Sequence, residues 1–311
     1  MAEDDFLVKI AAELEQALAR RAESGGAGQL FASLLAEGNG WKVEDIICTS
    51  GPQDRPYQEQ HAQVSIAIVR TGSFQYRSSP GISEELMTTG SVLCGNAGQY
   101  FECAHEHGDG DRCLSFRFES DYFERMAAEA GARWSRGGFG ILRLPPLRAL
   151  SPLIARAWAG LAGDIDVSWD ELSIQLAVQV LQLSGSLSRL PAIGSRTAIS
   201  RVAELVRMVD RMPEARLTLA NLSKDAGLSR YHFLRTFERL TGVTPHQYVL
   251  RTRLREAALR VALTQQRILD IALDSGFGDV SNFNRAFRTE YGVSPRVYRS
   301  RQNGERRVQQ G

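Results

Sequence analysis

The spacing of hydrophobic and polar residues changes twice along this chain, and each change predicts a different type of structure. Residues 5–21 place apolar side chains three or four positions apart, the spacing of one helix face, before the breaker sequence SGGAG. From about Val43 to Glu119, short runs rich in β-branched and aromatic residues alternate with turn sequences such as SSPG and HGDGD. We predict an N-terminal helical segment at residues 1–40, followed by an antiparallel β-barrel or sandwich.

Helical spacing returns after the predicted strands, in the segments DYFERMAAEAGARW, SPLIARAWAGLAG and SWDELSIQLAVQVLQLSG. The third segment is apolar on two faces, one containing Leu172 and Leu176 and the other Ile174 and Leu181. Such a helix packs on its own domain and on a second surface, which is either a homodimer partner or more of the same interior. We expect these helices to complete a domain that spans residues 41–190.

The next boundary is marked by composition and by charge. Residues 184–195 contain Ser, Gly and Pro without periodicity, so we place a linker at 191–199, a second domain at 200–300 and a flexible tail at 301–311. Residues 195–311 hold 21 Lys and Arg against 11 Asp and Glu, and the rest of the chain holds 16 against 25. Net charges of 21 − 11 = +10 and 16 − 25 = −9 indicate a basic module for a polyanion joined to an acidic module with another role.

The basic part contains an internal repeat. Its first half recurs 49 residues later and its second half, after one inserted residue, recurs 50 residues later. The matching positions are Leu219, Leu222 and Asp225-Ala226-Gly227 with Ile268, Ile271 and Asp274-Ser275-Gly276, and then Phe233, Phe237, Gly242, Pro245 and Tyr248 with Phe283, Phe287, Gly292, Pro295 and Tyr298. Each copy predicts a helix, a turn at the first glycine and a second helix whose two phenylalanines point into a core.

A helix-turn-helix places its second helix in the major groove of DNA, where Arg recognises guanine and Asn recognises adenine. We therefore expect Arg235, Asn284 and Arg285 to read bases, and Arg230 lies on an outward face of the first copy. Between the copies, TPHQYVLRTRLREAALRVALT predicts one continuous helix of about 20 residues, roughly 30 Å long. Such a rod can hold the two second helices on successive major grooves. Some of its arginines are candidates for phosphate contacts, and a solvated charged face explains the others.

From Ser200 to Ser300 these motifs resemble the AraC/XylS family of transcription regulators. The resemblance rests on DIALDSGFGDVSNFNRAFRTEYGVSPRVYR and on LSKDAGLSRYHFLRTFERLTGVTPHQYV. It implies a seven-helix DNA-binding domain preceded by a cupin-like β-barrel that senses an effector or dimerises. It also implies base contacts from Tyr231, Leu234 and Arg235 in the first copy and from Val280, Ser281, Asn284 and Arg285 in the second. Leu234 departs from the polar residue common at its position and offers only an apolar contact, for example to a thymine methyl group.

The acidic part concentrates sulfur and imidazole groups in the string CGNAGQYFECAHEHGDGDRC. Alternating residues of a strand share one face, so Cys103, His105 and His107 are expected to lie together, with Cys94 and Cys113 on flanking strands. Thiolate and imidazole ligands suit zinc or another thiophilic metal, so these residues form a candidate metal or thiol-sensing site. The alternatives are a small organic effector in the barrel, or core cysteines beside exposed hairpin histidines. We interpret Cys48 and His61 as structural.

Together these features predict an α+β chain in which a cupin-like antiparallel β-barrel with helices precedes an all-α domain with two helix-turn-helix motifs. Four cysteines, an acidic N-terminus and no apolar run of roughly 20 residues favour a cytoplasmic protein that does not enter membranes. We expect a transcription regulator rather than an enzyme, since no nucleophile, paired-carboxylate or phosphate-loop motif occurs. The expected partners are double-stranded DNA, RNA polymerase, a second copy of the chain and an effector or metal. The alternatives are a cupin-type metal-dependent enzyme and a DNA-repair protein with a sacrificial thiol.

Overall fold

A computed structural model describes residues 4–56, 58–79, 83–132, 134, 138–162, 167–185, 195–215 and 217–308. The N-terminal part contains helix α1, a run of eight strands, helix α2, a ninth strand, a short 3-10 helix and two further helices. Its strands are β1 (Leu30–Gly38), β2 (Trp41–Cys48), β3 (Gln58–Gln60), β4 (Val64–Ser79), β5 (Ser83–Thr88), β6 (Val92–Gly95), β7 (Tyr100–Ala104), β8 (Asp111–Phe118) and β9 (Arg143–Leu144). Its helices are α1 (Asp4–Ser24), α2 (Ser120–Glu129), the 3-10 helix (Arg148–Leu150), α3 (Ser151–Leu161) and α4 (Trp169–Ser184).

The strands form two antiparallel sheets that share the long strand β4. Its N-terminal half lies between β8 and β6 in a sheet of order β1-β2-β8-β4-β6-β9, and its C-terminal half lies between β5 and β7, which also pairs with β3. The register of β4 against β8 shifts between Val69 and Thr71, and Gly72 follows with φ of +86°. Such a bulge bends a strand, so β4 passes from one sheet to the other and the sheets enclose an interior. The predicted antiparallel β-barrel is confirmed.

Neighbouring residues of β4 face two different cores because side chains alternate across a strand. Ile66 and Ile68 point outward from the barrel into a core formed with α2, α3 and α4. Ala67 and Val69 point into the barrel interior. The outer core continues into the C-terminal part of the chain, so the two parts share one hydrophobic interior.

Helix α4 lies largely inside this outer core. Leu172, Leu176 and Leu181 are buried, and Ile174 packs against the same cluster. The second apolar stripe of the helix is therefore covered mostly by the chain itself, which is one of the two explanations that the sequence left open.

Seven helices form the C-terminal part within residues 195–215 and 217–308. They are α5 (Arg196–Arg211), α6 (Leu219–Asp225), α7 (Arg230–Thr241), α8 (Pro245–Leu263), α9 (Ile268–Asp274), α10 (Val280–Tyr291) and α11 (Pro295–Val308). The predicted rod is the single helix α8, whose N-terminus has a capping box between Thr244 and Gln247. The corner glycines Gly227 and Gly276 have φ of +63° and +80°, a left-handed conformation that glycine adopts without a steric penalty. The all-α domain with two helix-turn-helix motifs is confirmed.

Three predicted boundaries differ from the structure. Strand β1 lies within residues 1–40, which we predicted to be helical, because its pairing with β2 outweighs the weak strand pattern of LFASLLAEG. Helix α5 begins at Arg196, capped by Ser195, so the linker predicted at 191–199 ends earlier; residues 191–194 lie outside the described part. The predicted tail is helical as far as Val308, because α11 continues through Gln302, which is buried. Among the described residues, no helix has the length and hydropathy needed to cross a bilayer.

Candidate nucleic-acid interface and barrel cavity

Helix α7 exposes the side chains that we predicted to reach DNA. The Ser229 hydroxyl caps the helix by accepting a hydrogen bond from the His232 amide, and Gly242 ends it in a left-handed conformation. Phe233 and Phe237 are buried, with ring centroids 5.6 Å apart. Residues four apart share one helix face, so burial of these two rings turns the opposite face outward. On that face Tyr231 and Arg235 are exposed, and Leu234 at its edge is half-buried. Arg230 is also exposed, because it is the first residue of the helix.

Helix α10 repeats this arrangement in the second unit. The Asp279 carboxylate caps it by accepting a hydrogen bond of 2.7 Å from the Asn282 amide. Phe283 and Phe287 are fully buried, with ring centroids 5.5 Å apart. The residues predicted to contact bases are again at the surface. Ser281, Asn284 and Arg285 are exposed, and Val280 is half-buried.

One segment of the N-terminal part, residues 143–151, contacts the C-terminal ends of both helices. The Arg143 guanidinium donates a 2.7 Å hydrogen bond to the carbonyl of Thr241, at the end of α7. The Ser151 hydroxyl donates a 2.5 Å hydrogen bond to Glu290, near the end of α10. Thr241 and Glu290 occupy nearly equivalent places in the two repeats. The N-terminal part therefore holds both units from their C-terminal ends and leaves their N-terminal turns exposed.

The arginines of rod helix α8 have hydrogen-bond or ion-pair partners within the protein. The sequence alone had left them as candidates for phosphate contacts or for a solvated charged face. Arg253 donates three hydrogen bonds of 2.6–2.9 Å, to the carbonyls of Pro213, Ala215 and Gly276. Arg251 donates to the carbonyl of Pro146, and Arg255 is buried. Arg260 pairs with Asp274 and Gln266. Arg251, Arg253 and Arg260 therefore fasten the rod to its neighbours, whereas Arg255 donates a hydrogen bond to Thr252 of the rod itself.

A concave region beside α10 carries further arginines. Its arginines are Arg267, Arg285, Arg288, Arg296 and Arg299. The first four are exposed, and the Arg267 side chain reaches 82% exposure. Arg267, Arg288 and Arg296 were missed as candidate contacts, although Arg288 follows Arg285 by one helical turn and periodicity could have identified it.

The barrel contains a cavity of about 120 Å³ between the two sheets. Its walls combine apolar residues and serines with eight titratable residues, namely Cys48, Glu59, His61, Cys103, His105, Asp111, Cys113 and Arg117. His61 stacks on Phe101 at 4.1 Å and forms a 2.7 Å hydrogen bond with the Tyr76 hydroxyl. Burial of His61, with a smaller effect of Arg117, lowers its pKa to about 4, so its imidazole is neutral.

The five Cys and His residues predicted to form one site are divided among three places. Cys103, His105 and Cys113 line the cavity. Cys94 points the other way into the outer core, since its neighbour Leu93 occupies the inward position. His107 lies outside the cavity near Arg207, because β7 ends at Ala104 and the chain turns there. The prediction that the alternation of a strand extends through His107 is therefore wrong. Cys48 and His61, which we interpreted as structural, also line the cavity.

The polar groups of the cavity interact directly with one another. His105 forms a 2.6 Å hydrogen bond with Asp111, and the Cys113 thiol donates a 3.1 Å hydrogen bond to the other oxygen of that carboxylate. Burial opposes protonation of His105, but hydrogen bonds with Asp111 and Cys48 outweigh it and raise its pKa to about 10. Burial, with the nearby charge of Asp111, raises the pKa of both Cys103 and Cys113.

Comparison with known proteins agrees with the duplicated helical units. A family described as a helix-turn-helix domain matches residues 222–301. The chain is 33% identical over 99 residues to the HTH-type transcriptional regulator MtrA of Neisseria gonorrhoeae, which is 32% of this chain and 33% of that protein. It therefore spans about a third of the length of MtrA.

Two further relatives match a larger share of their own length. The Transposon Tn10 TetD protein of Escherichia coli is 32% identical over 98 residues, which cover 32% of this chain and 71% of that protein. A transcriptional regulator from Chromobacterium violaceum with an AraC-type DNA-binding domain is a structural neighbour at 26% identity, with a TM-score of 0.31, over 33% of this chain and 91% of that one. On the strength of the duplicated motif and these sequence matches, the chain belongs to the AraC/XylS family of helix-turn-helix transcription regulators.

Proposed function

We propose that the protein is a transcription regulator that binds specific double-stranded DNA through α7 and α10. The observation that carries this proposal is the burial pattern of these two helices. Each buries a pair of phenylalanines and exposes, on the opposite face of its N-terminal turns, the side-chain types that read base edges. In this proposal Arg235, Asn284 and Arg285 contact bases, with Arg230, Tyr231, Leu234, Val280 and Ser281 beside them.

The remaining surface supports phosphate binding next to α10. Exposed Arg267, Arg288 and Arg296 line the concave region that Arg285 also borders. Phosphate contacts fix the position of a protein on the duplex without reading its sequence. Helix α8 spans 19 residues, roughly 28 Å at 1.5 Å per residue, and so separates the two units by a distance close to one duplex turn of about 34 Å.

The N-terminal part, in our proposal, binds an effector and forms a homodimer, and the regulator acts in the cytoplasm together with RNA polymerase. The barrel cavity supports an effector role, and exposed Leu30, Phe31 and Leu34 on the edge strand β1 support a surface for a second copy. Residues 143–151 offer a route from barrel to DNA-binding units. Leu142 packs in the barrel interior, and the next residue, Arg143, contacts the end of α7.

Selection from a random pool of DNA duplexes with the full chain tests this function. We expect one enriched sequence, because both helices present base-reading side chains. The Asn284→Ala variant is expected to lose preference at one base pair while it keeps its fold. Arg125→Ala, which removes an exposed positive charge from α2 in the N-terminal part, serves as the control and should select the same sequence. A pool that stays random after selection at several salt concentrations contradicts the proposal.

A further inference from the structure

Strand pairing brings together four metal-ligating side chains that are far apart in sequence. Cys48 is the last residue of β2, and its register partner on β8 is Asp111. Cys113 lies two residues further along β8 and therefore on the same inward face as Asp111. His105 follows the end of β7 and returns toward the same point through the turn that leads into β8.

The donor atoms of these side chains lie close together. The ligand atoms of Cys48, His105 and Asp111 are all within 4.8 Å of one another. Cys113 lies beside this group of three, with its sulfur 3.1 Å from the second carboxylate oxygen of Asp111. In a tetrahedral zinc site with bonds of about 2.0–2.3 Å, neighbouring donors are roughly 3.3–3.8 Å apart. The donor atoms of Cys48, His105 and Asp111 therefore have to draw closer together around an ion, and the Cys113 sulfur beside Asp111 is the fourth donor.

The surroundings of the cluster also suit an ion. His105, Asp111 and Cys113 are each at most 6% exposed, whereas Cys48 is partly exposed at the cavity wall. Burial of an imidazole and a carboxylate in an apolar interior costs free energy. Together with two thiols, the same groups form an ordinary ligand set for zinc. The partly exposed Cys48 gives the ion a path from solvent.

We propose that Cys48, His105, Asp111 and Cys113 bind one thiophilic divalent ion, Zn(II), inside the barrel. The two thiol protons and any proton on the imidazole leave to solvent as the ion binds, so no redox step is involved. The site differs from the one expected from sequence, since it includes Cys48 and Asp111 and excludes Cys94 and His107. It fastens the end of β2 to the turn between β7 and β8, and it stands independently of DNA binding.

Cobalt titration of the full chain tests the site without reference to DNA. The protein is stripped with a chelator under reducing conditions and titrated with Co(II), whose thiolate charge-transfer and visible bands report tetrahedral sulfur ligation. We expect one ion per chain, displaced by zinc. Cys48→Ser and Asp111→Asn should each weaken binding by at least about tenfold. Cys94→Ser, whose sulfur lies on the other face of the sheet, is the matched control and should bind as the wild type does.

X-ray absorption on the zinc-loaded wild type keeps the test decisive if a variant fails to fold. We expect two sulfur ligands at about 2.3 Å and two nitrogen or oxygen ligands at about 2.0–2.1 Å. Absence of cobalt thiolate bands in the wild type overturns the proposal, as does undiminished binding by folded Cys48→Ser and Asp111→Asn. A shell of three sulfurs overturns the assignment of Asp111 and shows that Cys103, on the same cavity, takes its place.

Discussion

Arg70 and Glu256 form an ion pair between the barrel and rod helix α8, with 2.9 Å between Nη1 and Oε1. Arg70 lies where β4 bends from one sheet to the other, and its guanidinium also faces the ring of Trp158 at 5.6 Å. Burial alone would raise the pKa of Glu256, but the charge and hydrogen bond of Arg70 lower it. The bend of the barrel is thereby tied to the helix that joins the two DNA-binding units.

Arg70→Ala is expected to destabilise the folded chain. Removal of one partner from a buried pair costs about 3–5 kcal/mol, and because the Glu256 side chain is 36% exposed we expect about 1–3 kcal/mol. Urea denaturation measures the loss. The Glu256→Gln variant and the double variant complete the cycle, and strictly additive losses would show that the two side chains do not interact.

Asp210 at the end of α5 should make stability depend on pH. It accepts hydrogen bonds from Thr89 at 2.6 Å and from Tyr248, yet burial raises its pKa from 3.8 to about 6. The folded state therefore binds more protons than the unfolded state between about pH 4 and 6, so this group contributes stability below pH 4 that is lost as the pH rises through 6. This decrease in the free energy of unfolding amounts to about 1–3 kcal/mol, and we expect it to be absent in Asp210→Asn.

Urea denaturation of both proteins from pH 4 to 7 tests the assignment of Asp210. Asp225→Asn, a change to an exposed carboxyl at the end of α6, is the control and should follow the wild-type curve. Parallel curves for Asp210→Asn and the wild type would mean that Asp210 titrates normally.

Arg285→Ala and Arg288→Ala are expected to weaken DNA binding in different ways. Arg285 lies on the predicted reading face of α10, so its loss should cost about 1–3 kcal/mol and relax preference at one base pair. Arg288 lies one turn further along the concave surface, so its loss should weaken binding to all duplexes alike. It should also reduce, by about one, the slope of the logarithm of the binding constant against the logarithm of the salt concentration. Binding to specific and random duplexes at several salt concentrations separates the two effects. If Arg285→Ala lowered the affinity for the specific and the random duplex equally, Arg285 would be a phosphate contact and not a base contact.

Phe233 and Phe283 occupy equivalent places in the repeats but belong to different cores. Phe233 packs with α5 in a core that also includes Leu86 of β5, and Phe283 packs in the outer core that includes Trp158 of the N-terminal part. Both alanine variants should lose about 3–5 kcal/mol. Only Phe283→Ala is expected to change the tryptophan fluorescence of the folded protein, because the core around Phe233 contains no tryptophan among the described residues. An identical fluorescence change in both variants would contradict the shared core.

The helix-turn-helix units could be predicted closely because their signals are local. Phenylalanines four residues apart, a corner glycine and a capping residue act within about one helical turn, so Phe233, Gly227 and Ser229 specify their unit without distant contacts. The same reasoning predicted the single rod helix from Thr244 onward. It did not reveal that Arg253 binds three backbone carbonyls, because those carbonyls belong to segments brought near only by folding.

By itself, the sequence determined the duplicated units, their outward faces and the presence of an antiparallel barrel, since periodicity and turn residues act over short distances. Only the tertiary structure decided which polar groups meet inside the barrel. Cys48 meets Asp111 through the register of β2 with β8, and the turn after β7 brings His105 to the same place. Cys94 is turned away by a single position of alternation on β6. Register depends on the packing of whole sheets, and a shift of one residue reverses every side chain, so spacing along the chain does not specify it.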